Sequence, residues 1–202
     1  MKERIAVISM ISYVNENGAR RDKEGLARFL CPDLWQRNLA DIDVDELRAM
    51  GIRSIILDID NTLAFWGKSD IEDAVSGWIH RAKAAGLKLC IVSNNVSSRI
   101  KAISDMTGIP AALGGLKPFP SAFKKALTVL GTDPQNTAVV GDQLFTDILG
   151  GNLCGMFTIL VAPLSRNEFI TTRIVRRLER VALKWLLARG IISPEDLKMR
   201  QI

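Results

Sequence analysis

Two aspartates, Asp58 and Asp60, follow an apolar run and open the segment Asp58-Ile59-Asp60-Asn61-Thr62. Ser93-Asn94-Asn95 follows a second apolar run, and Lys117-Pro118 precedes a helical stretch. Gly141-Asp142-Gln143 follows a further apolar run, with Asp147 one helical turn beyond. Several carboxylates without clustered arginine form an oxygen-donor set suited to a hard divalent cation, and Mg²⁺ is the usual one where phosphate is handled. A phosphomonoester dianion approaching an aspartate nucleophile is repelled unless its charge is neutralised. A divalent cation and one lysine can do that. The attacking carboxylate would form an aspartyl-phosphate, splitting hydrolysis into two easier steps. Side chains two residues apart on a strand point the same way. A second acid at that spacing can protonate the leaving alcohol and then act as base on water. Asp58 and Asp60 have that spacing. Taken singly, these residues have ordinary roles: Asp58 or Asp142 as an N-cap, Ser93 in a turn, Lys117 as a solvated charge. Their placement after successive elements makes them a set.

Those elements are legible in the hydrophobic pattern. Residues 52–57, 87–92, 137–140 and 157–161 are short, nearly continuous apolar runs of the kind that strands buried on both faces require; residues 109–112 suit a shorter strand. Asp43 with Glu46 three positions on signals a short helix that stops at Gly51. Residues 71–85, 96–106, 121–130, 143–152 and 167–188 read as helices. Strand and helix in alternation predict a three-layer α/β/α Rossmann-like fold with a parallel sheet and right-handed crossovers. In such sheets the ligand crevice lies at the carboxyl ends of the strands, where the polar residues above fall.

Composition sets further limits. The chain has 202 residues, 48% hydrophobic and 24% charged, which is globular and argues against disorder. No apolar stretch reaches the roughly 18–20 residues that span a bilayer. The early run at 5–14 has no small-residue cleavage site after it and is not read as a signal peptide. Three widely spaced cysteines without C-x-x-C point away from a disulfide framework or zinc site and toward a reduced, cytoplasmic protein. The one histidine, His80, falls in a helical stretch and reads as structural, and Cys90, inside a strand, as a core residue. No P-loop pattern occurs. Gly114-Gly115 and Gly150-Gly151 read as turns and close packing. The net charge of +5 is carried wholly by residues 166–202, with nine basic and four acidic side chains. This divides the chain into a variable extension (1–24), a core (25–165) and a basic helical C-terminal segment (166–202).

The ordered segments resemble the four motifs of the haloacid-dehalogenase (HAD) superfamily of phosphohydrolases, over about residues 52–162. By that resemblance Asp58 is the nucleophile and Asp60 the general acid/base. Thr62, Ser93 and Asn94 bind the phosphoryl group, and Lys117 neutralises it. Asp58, the Asp60 carbonyl and Asp142 hold Mg²⁺, with Asp147 in support. Superfamily members that transport ions or dehalogenate lack the second aspartate, so Asp60 implies phosphate-ester hydrolysis. Residues 32–43, 47–51 and the run Gly141-Asp142-Gln143-Leu144-Phe145-Thr146-Asp147-Ile148-Leu149-Gly150-Gly151-Asn152 resemble the YqeG-type phosphatases of HAD subfamily IIIA, similar to the mitochondrial phosphatidylglycerophosphate phosphatases. This likeness covers about residues 25–190 and implies a phosphatidylglycerophosphate substrate and a place in phospholipid biosynthesis.

Two features bear on substrate independently. About 30 residues separate the first two motifs and about 24 separate Ser93 from Lys117, so neither gap holds a cap domain. An uncapped site must be dried by the substrate, a partner or short loops such as 63–68, which favours a bulky substrate such as a lipid headgroup. Phe65 and Trp66 lie beside the mouth, as flap packing or as membrane contacts. On the tail helix, Arg173, Arg176, Arg177, Arg180 and Lys184 share one face, with Ile174, Leu178, Val181 and Trp185 on a neighbouring stripe. Two readings stay open: a helix docked on the core with a solvated charged face, or a basic face toward anionic lipid and peripheral contact with the cytoplasmic membrane. Nucleic acid ranks low, for want of a binding motif. The expectation is a Mg²⁺-dependent phosphomonoesterase acting on phosphatidylglycerophosphate. The alternatives are a phosphatase for a soluble metabolite, nucleotide or phosphoprotein, and a non-enzymatic phosphoacceptor or interaction module.

Overall fold

A computed structural model describes residues 25–95, 97–165 and 170–199. The extension at 1–24 lies outside the described residues. Five parallel strands form one sheet: β1 (Leu34–Gln36), β2 (Ser54–Leu57), β3 (Lys88–Ile91), β4 (Thr137–Gly141) and β5 (Phe157–Val161), in the order β1-β5-β4-β2-β3. The helices are α1 (Ala27–Leu30), α2 (Val44–Ala49), α3 (Asp73–Ala84), α4 (Ser97–Thr107), α5 (Pro120–Leu130), α6 (Leu149–Leu153), α7 (Ile170–Ala188) and α8 (Pro194–Met199). The central strands β2 and β4 pair through Ser54–Thr137 to Leu57–Val140, which brings their carboxyl ends level.

Alternation along the strands divides the core. Ile55 and Leu57 of β2, Ala138 and Val140 of β4 and Ile159 and Val161 of β5 pack with Trp78 and Ile79 of α3 and Ile100 and Ile103 of α4. Ile56 and Val139 turn to the other face, against Phe123 and Ala126 of α5. Leu160 and Trp35 on that side join Leu183 and Leu186 of α7 and Leu144 and Ile148. The three expected layers are present. Trp78, fully buried, meets its polar obligation by donating to Ile42 O at 2.8 Å. Asp43 caps α2 by accepting from the amides of Asp45 and Glu46.

The glycine pairs do what small residues do. A Cβ on Gly150 would sit 2.2 Å from Phe123 Cε2, and one on Gly151 2.6 Å from Thr158 Cγ2, so α6 meets α5 and the sheet at backbone distance. Two expectations need adjustment. Residues 109–112 make only an isolated bridge, Ile91 to Ala111, rather than a strand. The single helix expected at 143–152 is a π-helical turn (Leu144–Ile148) running into α6. Among the described residues, the crossover from β2 to β3 contains only α3, and the stretch from β3 to Lys117 only α4; neither forms a cap. No described helix is long and apolar enough to cross a membrane.

Candidate active site

β2 ends at Leu57, and the Asp58 amide extends its pairing by donating to Val140 O at 3.0 Å. The chain then folds back tightly. Thr62, Leu63 and Ala64 donate their amides to Ile59 O, and Asn61 takes φ 59°, a left-handed conformation that Asn tolerates better than most residues. β4 likewise ends at Gly141 and hands the chain to Asp142. Because β2 and β4 are neighbours, Asp58 and Asp142 emerge side by side. Asp147, on the π-helical turn, completes the set: one carboxylate oxygen from each of Asp58, Asp142 and Asp147 lies within 4.8 Å of the others. All three residues are buried.

Lys117 joins this cluster from the segment before α5. Its ammonium pairs with Asp58 and, at 2.6 Å, with Asp147. Asn94 fixes the backbone of Lys117 in place, accepting from its amide at 2.7 Å and donating to its carbonyl at 3.0 Å. The strand end at β3 therefore sets the lysine's position. Burial opposes the charge on Lys117, but the adjacent carboxylates of Asp147 and Asp58 outweigh it and raise its pKa. Asp58 is raised well above the ordinary carboxylate range, by burial first and then by Asp147 and Asp142, while Lys117 pulls it down. Three carboxylates buried together meet two cations, Lys117 at Asp58 and Asp147 and an arginine at Asp142. Their all-oxygen donor set fits a hard divalent cation such as Mg²⁺.

Gly141 is required by the same packing. A Cβ there would lie 2.2 Å from Asp147 Cγ, so any larger residue displaces the carboxylate. Asp147 is otherwise held by the Gln143 amide, 3.1 Å from its Oδ2.

Asp60 belongs to a different set. Its carboxylate pairs with Arg99 of α4 and accepts from Asn95 Nδ2 at 2.8 Å. It is not part of the three-carboxylate cluster, which leaves its backbone carbonyl as the atom through which it could serve a cation there. Arg99 also donates to Phe65 O and Lys68 O, stitching the short loop after Asp60 over the site edge. Phe65 and Trp66 are half-buried in that loop. Ser93, 8% exposed, accepts from the Asn95 amide at 3.2 Å. Thr62 is buried in the turn that follows Asp60, 1% exposed, and its Oγ1 has no hydrogen-bond partner among the described residues. His80 is exposed on α3, outside these sets. The Cys90 thiol is buried and pushed up to about 11, chiefly by that burial, which leaves it un-ionised and inert.

The tail helix departs from its predicted orientation. Arg176, expected on the outward basic face under both readings, instead points inward and pairs with the Asp142 carboxylate, donates to Asp142 O at 2.7 Å and bonds Glu179 at 2.9 Å. Glu179, 1% exposed, accepts from the Leu144 amide. Leu183 and Leu186 extend this inward face, while Leu178 and Val181, expected beside it, are 56% and 66% exposed. Helix α7 carries more apolar surface than the core can cover, and the need to pair buried Asp142 and Glu179 sets its rotation. The Arg173 side chain lies outside the described residues. Arg99, Arg176 and Glu179 had no motif to announce them; only the charge excess of the tail pointed to the second.

The family model described as "Mitochondrial PGP phosphatase" matches residues 26–164. The probable phosphatase YqeG of Bacillus subtilis is 36% identical over 171 residues, covering 85% of this chain and 99% of that protein. The chain belongs to this phosphatase family. A phosphatidylglycerophosphate phosphatase of Arabidopsis thaliana is 32% identical over 84% of the chain and 51% of its own length. A mitochondrial phosphatidylglycerophosphatase of Saccharomyces cerevisiae is 35% identical over 58% and 75%. One solved structure superposes with a TM-score of 0.51 at 13% identity, covering 67% of this chain and 84% of that one, a likeness of fold. The chain is therefore a phosphatase of this family, and the buried carboxylates and Lys117 lie within the matched span.

Proposed function

We propose that this phosphatase is a Mg²⁺-dependent phosphomonoesterase that works through an aspartyl-phosphate on Asp58 and dephosphorylates phosphatidylglycerophosphate at the cytoplasmic face of a membrane. The observation that carries the reading is the meeting of Asp58, Asp142, Asp147 and Lys117 at adjoining strand ends. Asp58 and Asp142, with Asp147 and the Asp60 carbonyl, are the groups that would hold the cation. Bound there, Mg²⁺ would screen the carboxylates from the incoming dianion and stabilise charge on the phosphoryl oxygens.

The chain's own groups supply the rest. An Asp58 carboxylate oxygen attacks phosphorus as the bond to the ester oxygen breaks, and Asp60 gives its proton to the departing alcohol. Asp60 then takes a proton from water, whose oxygen attacks phosphorus and releases Asp58. Lys117, with Ser93 and the Asn94 amide, steadies the phosphoryl group in both steps. Arg99 and Asn95 hold the Asp60 carboxylate on its side of the reacting atoms.

The lipid assignment draws support from the relatives' names and from the outward face of α7. There Leu178 and Val181 stand exposed beside exposed Arg177, Arg180 and Lys184, an apolar stripe with basic flanks suited to an anionic bilayer. Purified protein incubated with vesicles containing phosphatidylglycerophosphate should release inorganic phosphate. Release from soluble esters with none from the vesicles would assign a soluble substrate instead.

A further inference from the structure

Arg176 and Glu179 stand three residues apart on α7, so they share one face of that helix. That face meets the strand end that delivers Asp142. The Arg176 guanidinium forks across this residue: Nη2 donates to Asp142 Oδ2, and Nη1 donates to Asp142 O at 2.7 Å. Nη1 also bonds Glu179 Oε2 at 2.9 Å. Glu179 carries the connection further. Its Oε1 accepts from the amide of Leu144, the first residue of the π-helical turn that holds Asp147. One ion pair on the tail helix thus grips Asp142 directly and the start of the Asp147 turn through Glu179.

Docking alone does not call for this pair. Leu183 and Leu186 already pack α7 against Leu144 and Ile148, and a buried ionic set is often no more stabilising than apolar residues of similar volume. The geometry has a narrower use. A planar guanidinium that bonds both a side-chain oxygen and the backbone carbonyl of one residue fixes the rotation of its carboxylate, which a lysine ammonium cannot do in the same way. It also keeps a cation from Oδ2, since two positive charges on one oxygen repel each other. A cation shared with Asp58 and Asp147 therefore meets Asp142 through Oδ1. Mg²⁺ demands a near-octahedral shell of single oxygens, whereas Ca²⁺ accepts more ligands and readily takes both oxygens of a carboxylate.

We infer that Arg176 is a positioning residue of the cation site, and that by holding Asp142 to one oxygen it biases the site toward Mg²⁺ over Ca²⁺. The inference rests on the cation reading above and adds to it a determinant of which ion is held. Glu179 is the second half of the device, keeping Arg176 in place and tying the same helix to the Asp147 turn.

The test reads cation binding without turnover. Thermal unfolding of the full chain is followed against Mg²⁺ and, separately, Ca²⁺ concentration, and the shifts give a dissociation constant for each ion. Arg176→Lys keeps the charge and loses the fork. Arg176→Met combined with Glu179→Gln removes both charges together, while the glutamine can still accept from Leu144. In each variant Mg²⁺ affinity should fall by about 10–100-fold, the usual cost of losing a group that orients a metal ligand. Ca²⁺ affinity should fall far less, so the ratio of the two constants moves toward Ca²⁺. A merely structural arginine would lower the melting temperature in the absence of either ion and leave that ratio at the wild-type value. An unchanged ratio in the variants, or one that moves toward Mg²⁺, overturns the assignment; the lysine variant decides the matter if the double variant does not fold. Wild-type protein that responds to neither ion overturns the cation reading itself, a failure distinct from an unchanged ratio.

Discussion

Protonating a leaving alcohol matters in proportion to how poorly that alcohol leaves. Asp60 stands apart from the carboxylate cluster, its side chain held by Arg99 and Asn95. Asp60→Asn should therefore lower kcat for an alkyl phosphate by about 10²–10⁴-fold and far less for nitrophenyl phosphate, whose phenolate needs no acid. Equal losses on both esters would show that Asp60 is not the acid. At this scale Asp58, Ser93, Lys117 and Asp142 were legible in the sequence, because each follows a strand or opens a helix at the sheet edge where ligands bind. Arg99 and Arg176 were not. Their carboxylate partners lie 39 and 34 positions away, and no local spacing encodes such a pairing. The place of Thr62 in the first motif gives its position in the turn and not its burial.

Among the elements, α7 couples the basic tail to the phosphatase core. Arg176 lies between Asp142 and Glu179, both almost wholly buried, so it is a structural cation rather than a surface one. Arg176→Ala should destabilise the protein by about 3 kcal/mol, as expected when one partner of a buried ionic set is removed. Urea unfolding measures this. A midpoint unchanged from wild type would mean that the helix docks through Leu183 and Leu186 alone. The rotation of α7 escaped the sequence because its apolar arc is wider than the buried face. Periodicity finds such an arc but cannot say which part of it meets the core. Strand β1 escaped for a different reason: three residues, Leu34 to Gln36, are too few to show a period, and only pairing with β5 makes them a strand. The other four strands, β2 to β5, were legible within one or two residues, since burial on both faces requires continuous apolar runs.

For the molecule as a whole, a cation held by the carboxylates gathered at this strand edge would bind the folded state alone, since only folding brings Asp58, Asp142 and Asp147 together. A ligand that binds only the folded state adds about 2.7 kcal/mol at a hundred times its dissociation constant. For a chain of this size Mg²⁺ should then raise the melting temperature by about 5–10 °C. A chelator should reverse the shift, and Asp142→Asn should abolish it. A melting temperature indifferent to Mg²⁺ would count against a cation at this cluster. The most direct test of the central claim is a single-turnover reaction with an aryl phosphate, quenched in acid, digested and analysed by mass spectrometry. One phosphoryl group should appear on the peptide containing Asp58 and decay as inorganic phosphate accumulates. Phosphate release with no adduct on that peptide, or an adduct on another residue, would contradict it.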